Sequence, residues 1–485
     1  MTLKEKFLNG VFWLTLSKLS LKLINFVVTI VLARLLIPED FGLVSLALIF
    51  VNFFEITRDF GLESALIHYE GDDSEQHEVY STAFIIYPLF ALFLYAISYY
   101  MSPWIAYFFE NNSFESVLRA LLLTVVIWSF GALPRTILVK SLCFRKMFIP
   151  QILPKLIYGL TAIALAYLGY GVWSLIIGRL ILEITTVIAY WYSVSWRPSI
   201  NFSLNKAIEL LSFGKFVALS GVITFILSSI DSALIGKLFD AESLGYYTIS
   251  MSAAGMFTIQ AALVLSQIIY PIYSKLQHDI DRLNHSHLKV LSFFSLFIIP
   301  ASIGLLLISD SFIGVIYGNK WLPSVPILQV LCIYGMFASF KKINTSVFLA
   351  MGNPEIMTKV DYFQLLILII LIYPLTTGFG IYGAGIAVTI AVALATIYSL
   401  KKSNDILNIS MYETITSMHV SLIGTFLMSI GIVFFQKLNY FSSPEVKLLF
   451  ITFIGMLIYA LFVIVVHRNY LRHLLSQRRK TNIFN

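Results

Sequence analysis

The 485-residue chain is 58% hydrophobic and only 12% charged, with a mean hydropathy of +0.85, where a soluble globular domain carries about 25% charged residues. This composition excludes a soluble protein and points to a chain that lives in lipid. The net charge of +7 is spread along the sequence and not gathered on one hydrophilic domain, which excludes a nucleic-acid-binding module.

Apolar runs of the roughly 20 residues that a spanning helix needs recur from residue 11 almost to the end. In chain order they cover about 11–36, 41–67, 79–109, 114–140, 148–169 and 171–194, then about 207–236, 244–273, 287–317, 324–350, 357–377 and 379–400, with two more near 415–436 and 446–467. An all-α polytopic membrane protein of about 14 transmembrane helices is predicted. The first run is longer than a signal-peptide core and has no small-residue cleavage site after it, so it reads as a retained helix. Lys and Arg collect on alternate loops: Lys4, Lys6, Arg145, Lys146, Arg197, Lys206, Lys275, Arg282, Lys289, Lys401, Lys402 and the basic tail lie on one side. The other side holds little beyond Lys237, Lys320, Lys437 and Lys447. By the positive-inside rule both termini are expected in the cytoplasm. One loop of that side, "HYEGDDSEQHE", is acidic, but acids weigh little in the rule.

Several chemistries find no support. There is no phosphate-cradling loop with its Lys, no GxSxG elbow and no HExxH helix, so neither an ATPase nor a hydrolase is predicted, and no cofactor or metal. Cys143 and Cys332 lack any metal or redox spacing and read as packing residues. His68, His77, His285, His287, His419, His467 and His473 fall near loops and ends and are expected to be solvated or interfacial. Aromatics such as Trp191, Tyr192, Tyr246, Tyr247 and Phe257 read mostly as belt and packing residues.

The stretch "LARLLIPEDFGLVSLA" at residues 32–47 has an echo in "IGKLFDAESLGYYTIS" at 235–250. Laying Gly42 on Gly245 also lays Arg34 on Lys237, Leu35 on Leu238, Glu39 on Glu242, Ser45 on Thr248 and Asn25 on Ser228, without a gap. A fainter echo lays "LPRTILVKSLCFR" on "FKKINTSVFLAMG" and so Arg135 on Lys342. Six spans separate the copies. An even number preserves direction, so the halves are predicted to be parallel repeats about an axis along the membrane normal. Residues 1–205 and 206–403 then form two six-helix lobes, and 404–485 a final helix pair with a basic cytoplasmic tail.

The motifs "RLLIPEDFG", "CFRKMF" after the fourth span and "AMGNPE" after the tenth resemble the Wzx-type polysaccharide flippases of the multidrug/oligosaccharidyl-lipid/polysaccharide exporter superfamily. The resemblance covers nearly the whole chain. It is closest to the branch that moves undecaprenyl-pyrophosphate-linked repeat units of exopolysaccharide, teichuronic acid, colanic acid or O-antigen type. It implies a flippase of the bacterial plasma (inner) membrane, without enzymatic activity, that works by alternating access around a cavity between the lobes.

Charges in a span cost at least about 2.5–3.5 kcal/mol near the bilayer centre, so each needs a reason. Lys18, Lys22, Asn25 and Thr29 share one stripe of the first helix, and Ser220, Thr224, Ser228 and Asp231 share one on the seventh. With Arg58, Arg135, Arg179, Lys341 and Lys342 the bases form a ladder through the membrane, suited to passing a pyrophosphate from contact to contact. Structural alternatives stand beside each. Arg58 lies near Glu55 and Asp59, Arg179 lies four residues from Glu183, and Arg135 and Lys342 could snorkel. Arg34 and Lys237 could anchor helix ends or pair with Glu39 and Glu242. Asp231 is the ion-coupling candidate, for protons or, with Ser228 and Thr224, for sodium; its alternative is a salt bridge to Lys22. A polysaccharide polymerase or ligase is disfavoured by external loops as short as "IPED", "ENNS", "LGYG" and "TTGFG". A drug exporter of the same superfamily shares the fold but not the need for bases. The acidic loop and the basic tail are expected contacts for polysaccharide assembly proteins.

Overall fold

The computed structural model describes residues 3–59, 62–69, 72–141, 143–199, 201–437 and 443–481. Among them there is no strand. In chain order come α1 (Leu3–Leu35), α2 (Pro38–Asp59), α3 (Leu62–His68), α4 (Asp73–Phe108), α5 (Asn112–Lys140), α6 (Phe144–Tyr167), α7 (Val172–Ser193) and α8 (Leu204–Leu238). There follow α9 (Ala241–Leu276), α10 (Ile280–Ile316), a 3-10 turn (Asn319–Ser324), α11 (Val325–Ala350), α12 (Pro354–Leu407), α13 (Met411–Ser417), α14 (His419–Lys437) and α15 (Pro444–Thr481). Among the described residues nine helices are long and apolar enough to cross a membrane, or ten if α9, bent by 43° at its middle, is one span.

Polar residues at the breaks start the helices. Asp72 accepts the Glu75 amide at 2.8 Å, Asn111 that of Phe114 at 3.2 Å and Asp279 that of Arg282 at 3.1 Å. The Glu75 amide and the Ser74 hydroxyl hold the Asp72 carboxyl below its ordinary range. The expected second span stops early, because α2 ends at Asp59 and the short α3 follows it. The expected eleventh and twelfth spans instead run on as α12, which turns at Gly380 (φ 65°, ψ −153°), a conformation essentially reserved for glycine. The rings of Phe363 and Tyr398 are 5.1 Å apart, whereas 35 residues of straight helix would separate them by about 50 Å. So α12 is a hairpin.

The chain divides into two compact units, residues 1–248 and 249–485. In the first, α1 packs on α6, α6 on α7, α5 on α4 and α7, and α8 on α2 with α3 and α4. The segment after α7 is tied to α4: Ser203 N–H donates to Thr82 Oγ1 at 3.1 Å and Trp196 Nε1 to His77 Nδ1 at 3.0 Å. An indole only donates, so His77 keeps its proton on Nε2 and gives it to Ser199 Oγ, 3.0 Å away. His77 is thus a partly buried network member and not a solvated histidine. His287 departs further from expectation. It is fully buried on α10, with Nδ1 3.2 Å from the Tyr273 hydroxyl.

In the second unit Thr389 and Thr396 donate to the carbonyls of Val330 and Phe337 at 3.4 and 3.0 Å, holding the second arm of α12 against α11. The last two helices dock on α10 through Ser421 to Ser295 O (2.6 Å), Gln436 to Leu307 O (2.7 Å) and Tyr459 to Leu296 O (2.7 Å). Small residues let them approach each other: a methyl at Gly424 would meet Tyr459, and one at Gly455 would meet Ile432.

The repeated stretch has a direct structural meaning. A methyl at Gly42 would strike the carbonyl oxygen of Ala241, and one at Gly245 that of Pro38. The register that lays Gly42 on Gly245 also lays Pro38 on Ala241, so each contact is the image of the other. The first turns of α2 and α9 clasp each other backbone to backbone, as two-fold related surfaces do. Both partners are carbonyl oxygens fixed by helix geometry, so neither can swing aside. Gly42→Ala and Gly245→Ala should each lower the thermal stability of the detergent-solubilised protein by about 1–3 kcal/mol. The double variant should lose less than the sum, since both break one clasp; additive or negligible losses would show that the two glycines do not share it.

Candidate functional site

The site is built on α1, α6 and α7. Val28, Leu32 and Leu36 of α1 pack with Ala162 and Ala166 of α6 and Leu175 of α7. Gly159 lets Val28 nest on α6, and Gly178 lets the Tyr158 ring lie against α7. Tyr158 packs against this same cluster, which draws on all three helices. Around that ring the charges gather. Lys155 Nζ stands 4.7 Å from its centroid, a cation–π contact that positions the ammonium without neutralising it. Arg179 follows Gly178 directly, and its Nε lies 3.2 Å from Glu183 Oε1 but without the alignment of a hydrogen bond. Lys155 feels Arg179, Glu183 and Lys22 electrostatically. Lys155 thus has two further cations and one carboxylate in its electrostatic surroundings.

Lys18 and Lys22 are exposed on α1, and Asn25 and Thr29 are half-buried on the same stripe. An exposed base in a span cannot be left facing hydrocarbon, which makes this a polar face of the unit. The other expected site residues lie elsewhere. Arg135 Nη1 is bound by both oxygens of Glu63 at 2.5 and 2.6 Å, so its charge already has a partner. Lys140 one turn on caps the end of α3 through Leu66 O (3.0 Å) and Tyr69 O (2.5 Å). Lys341 is held by Asp361 (2.9 Å) and Gln364 (2.5 Å), whereas half-buried Lys342 has no carboxylate within ion-pair distance among the described residues. The side chains of Arg58, Ser220 and Thr224 lie outside the described residues. Lys237 binds Glu110 (2.8 Å) and Phe108 O (2.7 Å) and not Glu242, which takes the Tyr246 hydroxyl instead.

Asp231 is 5% exposed. Its Oδ2 accepts from the Tyr247 hydroxyl at 2.6 Å and its Oδ1 from the Ser232 amide at 2.7 Å. Among the described residues no base is within ion-pair distance of it, Lys22 included. Ser228, on the same helix, is exposed and bonds to Phe225 O at 3.0 Å.

Sequence reasoning passes over Lys155 and Tyr247. A base a few turns beyond Arg145 and Lys146 reads as part of the interfacial flank, and Tyr247 reads as one aromatic among many. The available signal for Lys155 is depth. Counting about 1.5 Å per residue from the adjoining ends of α1, α6 and α7, Lys22, Lys155 and Glu183 lie about 20, 18 and 17 Å in, and Arg179 about 11 Å. The charges share a layer.

The profile of the family described as polysaccharide biosynthesis protein matches residues 31–326, more than half of the chain. The teichuronic acid biosynthesis protein TuaB of Bacillus subtilis (strain 168) is 26% identical over 358 residues, 73% of each chain. The lipopolysaccharide biosynthesis protein WzxC of Escherichia coli (strain K12) is 22% identical over 366 residues, 75% of this chain and 74% of that one. In fold the chain is similar to the lipid II flippase MurJ in an inward closed conformation, with a TM-score of 0.75 and 19% identity over 96% of this chain and 100% of that one. It is also similar to an inward-facing multidrug resistance MATE family transporter of the MOP superfamily, with a TM-score of 0.64 and 16% identity over 81% and 98%. The chain shares the fold of these two structures, and it belongs to the polysaccharide biosynthesis protein family.

Proposed function

We propose that the protein flips an undecaprenyl-pyrophosphate-linked oligosaccharide repeat unit across the plasma membrane of a bacterium by alternating access, for the synthesis of a surface polysaccharide. The observation that carries this reading is the surplus of bases over acids among Lys18, Lys22, Lys155, Arg179 and Glu183 on helices of spanning length. Bases in hydrocarbon are costly unless an anion meets them, and a pyrophosphate in transit is such an anion. Family membership and relatives named for teichuronic acid and lipopolysaccharide biosynthesis support the same cargo.

The topology follows. We place fourteen crossings on α1, α2 with α3, α4 to α11, the two arms of α12, α14 and α15, with both termini cytoplasmic and the halves 1–205 and 206–403 followed by the final pair 404–485. Asp231 is the proposed coupling acid, for a proton in preference to sodium, because its oxygens are met by a hydroxyl and an amide. Lys342 is the proposed contact of the C-terminal half. The acidic segment before α4 and the basic tail are the proposed contacts for polysaccharide assembly proteins.

The test is flipping of a fluorescent undecaprenyl-pyrophosphate oligosaccharide in proteoliposomes. Hydrogen bonds to charged groups are worth about 1.5–3 kcal/mol, so the Lys18→Ala, Lys22→Ala double variant, inserted to equal level, should flip at least about tenfold more slowly. A wild type that moves no such lipid under imposed ion gradients, but exports small cations, would make the protein a drug exporter. The Arg135–Glu63 pair behaves differently. Glu63→Gln takes the carboxylate from the Arg135 guanidinium and should cost about 1.5–3 kcal/mol of stability. Adding Arg135→Gln should restore much of that loss with flipping kept; a double variant as unstable as the single would mean the pair is not the source of the loss.

A further inference from the structure

We propose that Lys155 and Arg179 complete, with Lys22, a seat matched in charge to a pyrophosphate diester, and that Glu183 is the resident counter-ion which the pyrophosphate displaces from Arg179. This rests on the flippase reading above and names the linkage that the cargo carries.

Lys155 stands over the Tyr158 ring, and Arg179 pairs with Glu183 on the helix that this ring packs against; with Lys22, the other base that Lys155 feels, the group holds three cations and one carboxylate, a surplus of two positive charges. A polyprenyl-pyrophosphate-linked sugar is a diester with one ionised oxygen on each phosphorus, two negative charges in all. A monophosphate-linked sugar carries one. The seat is therefore neutralised by the first and left with an excess charge by the second, and a half-buried site discriminates strongly on uncompensated charge.

The geometry assigns separate tasks. The Lys155 ammonium rests on a ring face, which spends none of its three donors on a protein acceptor. The Arg179 Nε sits near Glu183 without a formed hydrogen bond, so turning the guanidinium to a phosphate sacrifices an ionic contact and not a bonded fork. Glu183 is 8% exposed and stays on the wall. When the cargo leaves it takes Arg179 back, so that guanidinium is never without a counter-ion. Lys22 is exposed on α1 at a matching depth.

The test uses the full-length protein in detergent and two soluble probes, a short-chain polyprenyl-pyrophosphate N-acetylglucosamine and its monophosphate counterpart, with affinities read by calorimetry. The wild type should prefer the pyrophosphate by about tenfold or more. Lys155→Met should erase most of that preference while still binding the monophosphate, and Lys155→Arg should keep it. Glu183→Gln should move the other way, binding the pyrophosphate several-fold more tightly and slowing flipping in proteoliposomes because release is slowed. Misfolding cannot produce a tighter complex, so this variant guards the test. If Lys155→Met retains the full pyrophosphate preference, or Glu183→Gln binds no tighter, the seat is wrong while flipping by the wild type upholds the flippase reading. If the wild type binds neither probe and flips nothing, the flippase reading fails and the seat with it.

Discussion

A charge in hydrocarbon must be met by something, and how each charge is met separates scaffold from working surface in this protein. Arg135 is gripped by both oxygens of Glu63, Lys341 by Asp361 and Gln364, and Lys237 by Glu110 and a carbonyl. These side chains are spoken for by their own fold and hold α3, the first arm of α12 and the end of α4 in place. Around Tyr158 the arithmetic is different, because the bases outnumber the acid. An imbalance kept inside the membrane is a cost to stability that only a visiting anion removes.

The backbone obeys the same logic. Helices satisfy their own amides, so nearly all of the described chain is helical, and breaks occur where glycine or a capping side chain can turn the chain. At Gly380 the turn is so tight that the helix hardly interrupts. At Gly42 and Gly245 the missing side chains serve closeness, letting two helix starts meet through carbonyl oxygens. The duplicated stretch marks a contact that a duplicated chain makes with its own copy.

Much of this was legible in the sequence. Runs of apolar residues located the helices, the ungapped match of Gly42 on Gly245 located the repeat, and the spacing of Arg179 and Glu183 located their pair. What was not legible depended on partners far along the chain. Glu63 is 72 residues from Arg135, and no helical periodicity links them. His287 looked interfacial because it stands near a helix start, yet Tyr273 from the preceding helix covers it. Asp231 looked like a partner for Lys22, but a tyrosine sixteen residues on reaches it first. Lys155 gains its meaning only when three helix ends are brought level.

Charge is not spread evenly over the helices. Helix α7 carries Arg179 and Glu183, whereas the second arm of α12 has no charged residue from Gly380 to Leu400. There threonines bond to the carbonyls of α11, and the arm is a buttress. A symmetric pair of anion seats would hold the headgroup equally well at two places and slow its passage, since a carrier must bind loosely enough to let go. A single seat on α6 and α7 gives the proposed cargo one preferred resting layer, with the resident Glu183 ready to reclaim Arg179 as the cargo leaves it.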